Sequence, residues 1–369
     1  MIQILDSTLR EGEQTPGVTF TLKEKLEIAH LLDDFGVDFI EAGHPAVSKD
    51  VKCAVKTIAN EGLNAKILAH SRAMRSDIDL ALDCDVEWVG LFISVLEDRL
   101  KLHFKKDLDQ VCGIVGDAVQ YAKDHGLKVR YTPEDTIRSH FDSVVKVSKA
   151  ALEAGADRIS VADTVGAATP GKMGTFIRTL IDRTGANVNV HCHNDLGLAL
   201  ANSLSAIENG AVLVDVCVNG LGERAGITNL AELVMALKVH YGMDNGWKLD
   251  MLPMISDRVE ELSGLRVASN APIVGDNAFA HNAGLHVSAA LLQPSFYEIF
   301  SAETVGRTRR FELDKLSGRD LIGSVLGKNG ISLNECQMSD LMGRIKSREK
   351  GSFSEDEILG SAIETLKGQ

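Results

Sequence analysis

Three short stretches of this chain bring together residue types whose chemistry depends on company. His191-Cys192-His193-Asn194-Asp195 sets two imidazoles one residue apart. If that segment is extended, the period of two puts both rings on one face and turns Cys192 to the other. Two imidazoles and a carboxylate make an open ligand set for a divalent cation, with positions left for substrate oxygens. Asp6-Ser7-Thr8-Leu9-Arg10-Glu11-Gly12-Glu13-Gln14 offers the carboxylate, and beside it a guanidinium suited to a carboxylate or a developing oxyanion. Gly220-Leu221-Gly222-Glu223-Arg224-Ala225-Gly226 has the glycine spacing of a phosphate nest, or of a loop that closes a sheet and caps the next helix. A pair of histidines at this spacing also arises by chance in a chain with 11 of them, so its weight depends on where the fold puts it.

The elements around these stretches alternate. Short β-branched runs at Ile2-Ser7, Asp38-Ala42, Ala65-Ala69, Trp88-Ile93, Lys128-Thr132, Arg158-Ala162, Asn187-His191 and Leu213-Val218 read as strands. Between them lie amphipathic stretches such as Leu22-Phe35 and Leu108-His125, with apolar residues at helical spacing. Gly36, Gly62, Gly126, Gly155, Gly185 and Gly210 each precede a strand, where a helix terminus calls for a left-handed residue. Eight such units predict an α/β chain folded as a (β/α)8 TIM barrel. A doubly wound sheet would want a glycine-rich phosphate loop after an early strand, and neither G-x-G-x-x-G nor G-x-x-x-x-G-K-[ST] stands there. After about Gly242 the rhythm breaks, and the expected organisation is a catalytic barrel over 1–243, a connector and subdomain over 244–313, and a small, mostly helical region over 314–369. In the last two parts Ala268-Glu312 reads as irregular, Asp314-Leu326 and Ser354-Leu366 as helical, and Lys346-Ser354 as an exposed turn.

In a barrel of this kind the active site gathers at the C-terminal ends of the strands. Six of the eight predicted strands end in polar groups: Arg10, Glu11 and Gln14 after the first, Glu41 after the second, His70 after the third, Arg130, Thr132 and Glu134 at the fifth, Thr164 after the sixth, and His191 and His193 at the seventh. Any one could be a charge satisfied in a surface network. Six in phase predict a site for a small polyanion, with Arg130, Thr132, Thr164 and His70 placed to grip a second carboxylate.

Composition narrows the function classes. A net charge of −13 gives no basic field for counterion release, so nucleic acid is not an expected partner. No uncharged apolar run is long enough to span a membrane and the first residues lack a signal-like apolar core, so a cytoplasmic protein is expected. The six cysteines show no C-x-x-C pair, and most are expected to be buried apolar fillers.

The motifs Asp6-Ser7-Thr8-Leu9-Arg10-Glu11-Gly12, His191-Cys192-His193-Asn194-Asp195-Leu196-Gly197 and Asn219-Gly220-Leu221-Gly222-Glu223-Arg224-Ala225-Gly226 together resemble the acyl-CoA-condensing synthases, the family of homocitrate, 2-isopropylmalate and citramalate synthases. The resemblance covers almost the whole chain. It implies that Glu11, His191 and His193 bind a divalent cation (Zn, Mn, Mg or Co), that Arg10 polarises a keto oxygen, and that acetyl-CoA is the cosubstrate. Within the family, Glu11 in place of Asp, Ile227 in place of an asparagine ligand, and the Arg130 and His70 pair all resemble the homocitrate branch, which takes 2-oxoglutarate and is tied to amino-acid biosynthesis, lysine biosynthesis above all. Ala225 resembles nitrogen-fixation and isopropylmalate relatives instead.

The same resemblance implies His286, in Phe279-Ala280-His281-Asn282-Ala283-Gly284-Leu285-His286, as the base that takes a methyl proton from acetyl-CoA, tuned by Glu134 and assisted by Tyr297. Read without it, a lone histidine is more simply a packed core residue. The resemblance further implies a homodimer with exchanged C-terminal segments. Other readings remain open on sequence: an isopropylmalate or citramalate synthase, a metal-dependent retro-aldol lyase, or a barrel that senses a metabolite without turning it over.

Overall fold

The computed structural model describes residues 2–367, and the chain divides into two units, Met1–Lys248 with Met254–Arg266 and Leu249–Pro253 with Val267–Gln369. The first is a closed barrel of eight parallel strands: β1 Gln3–Asp6, β2 Phe39–Gly43, β3 Lys66–Arg72, β4 Trp88–Ser94, β5 Lys128–Glu134, β6 Arg158–Asp163, β7 Val188–Cys192 and β8 Leu213–Val216. Closure is through β1 and β8, with Gln3 opposite Leu213 and Asp6 opposite Val216. All eight expected strands are present and the expected α/β barrel is the fold.

Burial explains the closure. Every residue of β2, β7 and β8 is buried, as strands covered on both faces must be. Leu5, Phe39, Leu68, Trp88 and Leu213, one from each of five strands, form a single buried cluster. The helices outside begin and end where the sequence says they should. Leu22–Phe35 starts on a capping box, Thr21 with Glu24, and stops at Gly36 with φ +102°. Leu108–Asp124 starts on a second box, Asp107 with Gln110.

Several expectations need correction. β3 and β5 each run beyond their predicted ends, so His70 and Glu134 are strand residues, while β8 stops at Val216 and the chain enters a 3-10 turn, Val218–Gly220. Of the cysteines, Cys84, Cys192 and Cys217 are buried, but Cys53 and Cys336 are exposed. In the second unit, Ala268-Glu312 is not simply irregular: it holds a helix, Gly284–Leu292, and a parallel two-stranded ladder of Ala280–His281 with Arg310–Phe311. The helical regions are Arg319–Lys328 and Glu355–Lys367, with an unforeseen helix between them, Glu335–Ser347, opened by an Asn334 and Gln337 capping box. The unforeseen helix has the reason for its stability on one face. Leu341, Met342 and Ile345 join Val287, Ile322, Leu326 and Ile358 in the second unit's own core.

Candidate active site

The H-x-H pair lies where the barrel rule requires. His191 is the penultimate residue of β7 and His193 follows it, while Glu11 caps the 3-10 turn Gly12–Gln14 after β1. The three are 2 to 6% exposed, and each offers one ligand atom within 4.8 Å of the others. The two Nε2 atoms are 3.3 Å apart, and each is 3.9 Å from a Glu11 oxygen. Asp215 on β8 accepts from His191 Nδ1 at 3.0 Å, which leaves the Nε2 lone pair free to ligate. His193 Nδ1 is buried without a partner. Two imidazole nitrogens facing each other and a carboxylate in a dry pocket suit a cation between them, so the donor set fits a divalent metal. Cys192 points the other way, toward Ser203.

Electrostatics hold the set in its ligating form. Burial raises the Glu11 carboxyl, but Arg10, His191, His193 and the Glu223 backbone N–H outweigh it and bring its pKa to about 2. Burial, helped by His191, lowers His193 to about 4, so its ring is neutral at pH 7. Arg10 donates to Glu11 and, through Nε at 2.7 Å, to Glu41. Burial works against its charge, but Glu41 and Glu11 outweigh it and keep the guanidinium protonated.

Glu41 is the hub of the inner layer. Fully buried, its carboxylate takes hydrogen bonds from Ser7 at 2.5 Å, Arg10, and Arg130 Nη2 at 2.8 Å, and pairs with His70 Nδ1 at 3.1 Å. Arg130 is 2% exposed and also reaches Asp215 and Asn189, while its Nε lacks a partner. Burial, with Arg10, drives the His70 pKa down to about 4.

These groups line one cavity of about 230 Å³ that brings together Arg10, Glu11, Gln14, His70, Arg130, Thr132, Glu134, Thr164, His191 and His193 from the predicted set. Glu41 is not among the lining side chains, since its oxygens are occupied from within the barrel wall. Glu134 is paired with Arg99 at 2.5 Å, and Thr164 accepts from the Asp135 N–H. His286 and Tyr297 belong to the second unit, where their rings stack with centroids 4.1 Å apart. The sequence reading passed over His44, Phe92 and Asp215, which also line the cavity. His44 could have been found, because it stands just beyond a strand end, and Asp215, because it is a carboxylate inside an otherwise apolar strand; Phe92 carries no signal that separates it from core residues.

The glycine-rich loop resolves toward closing the site. Its N–H groups at Gly222 and Glu223 are taken by Thr15 Oγ1 at 2.7 Å and Glu11 Oε1 at 3.0 Å, so they do not form a nest for phosphate. Gly226 has φ +78°, and a Cβ there would come within 1.7 Å of the Gly220 carbonyl oxygen. Ile227 forms a backbone bridge with His193 and is 1% exposed.

Comparison with known proteins agrees with this architecture. The HMGL-like family model matches residues 1–259, and a homocitrate synthase post-HMGL domain-like model matches residues 273–351. The chain belongs to the HMGL-like family. More narrowly, it is 52% identical to a homocitrate synthase of Pyrococcus horikoshii over 96% of this chain and 98% of that protein. It is 46% identical to homocitrate synthase AksA of Methanocaldococcus jannaschii over 99% of this chain and 91% of that one. The barrel is similar in fold to an HMG-CoA lyase from Brucella melitensis, with a TM-score of 0.63 at 20% identity, covering 71% of this chain and 99% of that one. Among the described residues no helix is long and apolar enough to cross a membrane.

Proposed function

We propose that this enzyme is a homocitrate synthase: it condenses acetyl-CoA with 2-oxoglutarate and hydrolyses the thioester, giving homocitrate and CoA. The observation that carries this reading is the match to relatives of that name over nearly the full length of both chains. The site supports it with a metal-type donor set and the guanidinium groups of Arg10 and Arg130 along the same cavity.

Glu11, His191 and His193 would hold a divalent cation, whose chemistry when bound is to polarise the keto group of the oxo acid. Arg10, fixed by Glu41 and Glu11, presents a permanent positive charge to the developing alkoxide. Arg130, His70, Thr132 and Thr164 receive the distal carboxylate, Glu41 holds Arg130 and His70 in place from within the barrel wall, and Gln14 contributes to substrate binding from the cavity lining. His286, stacked on Tyr297, removes a methyl proton from acetyl-CoA; the resulting carbanion forms a C–C bond to the keto carbon, and the alkoxide takes up a proton. Water then cleaves the thioester and CoA leaves as the thiol. Glu134 and Tyr297 serve the proton transfer.

We place the three parts of the chain in this scheme as a catalytic barrel over 1–243, a region supplying His286 and Tyr297 over 244–313, and a helical region over 314–369. In the region supplying the base, Leu285, Leu292, Phe296 and Ile299 are 61 to 79% exposed, which supports a homodimer in which a second copy covers them by exchanging C-terminal segments. A cytoplasmic role in amino-acid biosynthesis, that of lysine above all, fits this reaction. The test is CoA thiol release with acetyl-CoA and, in turn, 2-oxoglutarate, 2-oxoisovalerate, pyruvate, oxaloacetate and 2-oxoadipate. The reading expects 2-oxoglutarate to give the highest kcat/KM; a preference for 2-oxoisovalerate or pyruvate would replace it with the isopropylmalate or citramalate reaction.

A further inference from the structure

The metal-type triad and one part of the cavity lining, His44, His70 and Phe92, lie on different sides of the barrel. Glu11 comes from the β1 loop and the histidines from the end of β7 and just beyond it, whereas β3 stands four strands away from β7 in the closed order. A ligand seated at the triad and long enough to cross the mouth would meet β3 and β4. The wall it meets is aromatic: His70 on β3 stacks on Phe92 on β4 at 4.5 Å, and His44 stands edge-on to both, 5.7 Å from His70 and 6.2 Å from Phe92.

His44 is held rigidly. It follows β2 across a bulge at Glu41 and Gly43, where Gly43 adopts φ +146° and a Cβ would press on Val51 and Val55 at 3.0 and 3.1 Å. Its Nε2 lies 3.2 Å from Asp77 Oδ2, and Asp77, 3% exposed, is gripped in turn by a fork from Arg72 at 2.7 and 2.9 Å. A ring anchored on a carboxylate that is itself clamped has little freedom to turn aside for a longer ligand.

We infer that His44 is the end stop of the oxo-acid pocket, a specificity-determining residue that sets how long an acid the enzyme accepts. The inference rests on the reading of this cavity as a 2-oxo acid site. One methylene is worth about 10 to 200-fold in discrimination when a pocket wall enforces it.

The experiment compares kcat/KM for 2-oxoglutarate and 2-oxoadipate in the full-length enzyme and in His44→Ala. The expected result is a rise of about tenfold in the ratio of 2-oxoadipate to 2-oxoglutarate. His44→Asn serves as a second variant if the first fails to fold, and is expected to move the ratio in the same direction. Asp77→Asn, which keeps the ring but weakens its anchor, is expected to move it less than either. A ratio within about twofold of the unaltered enzyme's in a folded His44 variant would overturn the inference while leaving the reaction intact. Failure of the unaltered enzyme to turn over any acid of the panel would instead overturn the reading of the site.

Discussion

In the barrel, Glu11, His191 and His193 are 2 to 6% exposed and most of their polar atoms have protein partners, whereas in the second unit His286 is exposed and Tyr297 is 42% exposed. The first region holds its groups by burial: Asp215 orients His191, Glu223 and Arg10 hold Glu11, and Glu41 fixes two arginines and a histidine. The second holds its pair by one ring stack, between His286 on a short helix and Tyr297 beyond its end. In the proposed mechanism the difference separates two tasks. Binding an anion at a cation demands preorganised charge in a dry site, while moving a proton demands a group that meets a cosubstrate and lets it leave.

Substitutions should therefore fail differently in the two regions. Glu11→Gln keeps the size of the side chain and removes its charge; bound metal per chain should drop, and CoA release should fall about 10³-fold or more. Near-normal metal content and turnover would break the contrast at its strongest point. His286→Ala should slow condensation by about 10² to 10⁴-fold while calorimetry shows 2-oxo acid binding unchanged; unaltered turnover would remove the base assignment. Asp215→Asn should weaken metal affinity by about 10 to 100-fold, because the neutral amide that replaces the carboxylate partner of His191 Nδ1 no longer raises the basicity of the ring. Equal affinity in a metal titration would mean that β8 contributes packing alone.

The smallest effect is on stability. Burial raises the Asp6 carboxyl from 3.8 to about 7, against hydrogen bonds from Thr8. The folded chain thus keeps a proton that the unfolded chain has lost, so the stability this group contributes is present below pH 3.8 and disappears as pH rises to about 7. Asp6→Asn should raise the melting temperature by several degrees more at pH 8 than at pH 4; a constant offset would contradict the buried, protonated state.

The barrel was readable because its signals repeat. Eight β-branched runs, six glycine stops and polar groups in phase at strand ends all follow from local sterics and pattern, and the H-x-H spacing alone turns both rings to one side. The depth of the site was less readable. That Glu41 faces inward to Arg10, Arg130 and His70, rather than toward a ligand, depends on side chains 29 to 89 residues apart in sequence. His44 and Asp77 are likewise joined only by the fold, 33 residues apart. In the second unit the helix Gly284–Leu292 was hidden because seven of its nine residues are glycine, alanine, leucine or valine, without a polar stripe to mark a period.

The most direct test is a crystal of the cobalt-loaded protein with anomalous data collected at the cobalt edge. A single peak about 2.0–2.2 Å from a Glu11 oxygen and from Nε2 of both His191 and His193 is the predicted result. A peak elsewhere, with those three side chains unligated, would contradict the cation on which the proposed chemistry of the barrel mouth depends.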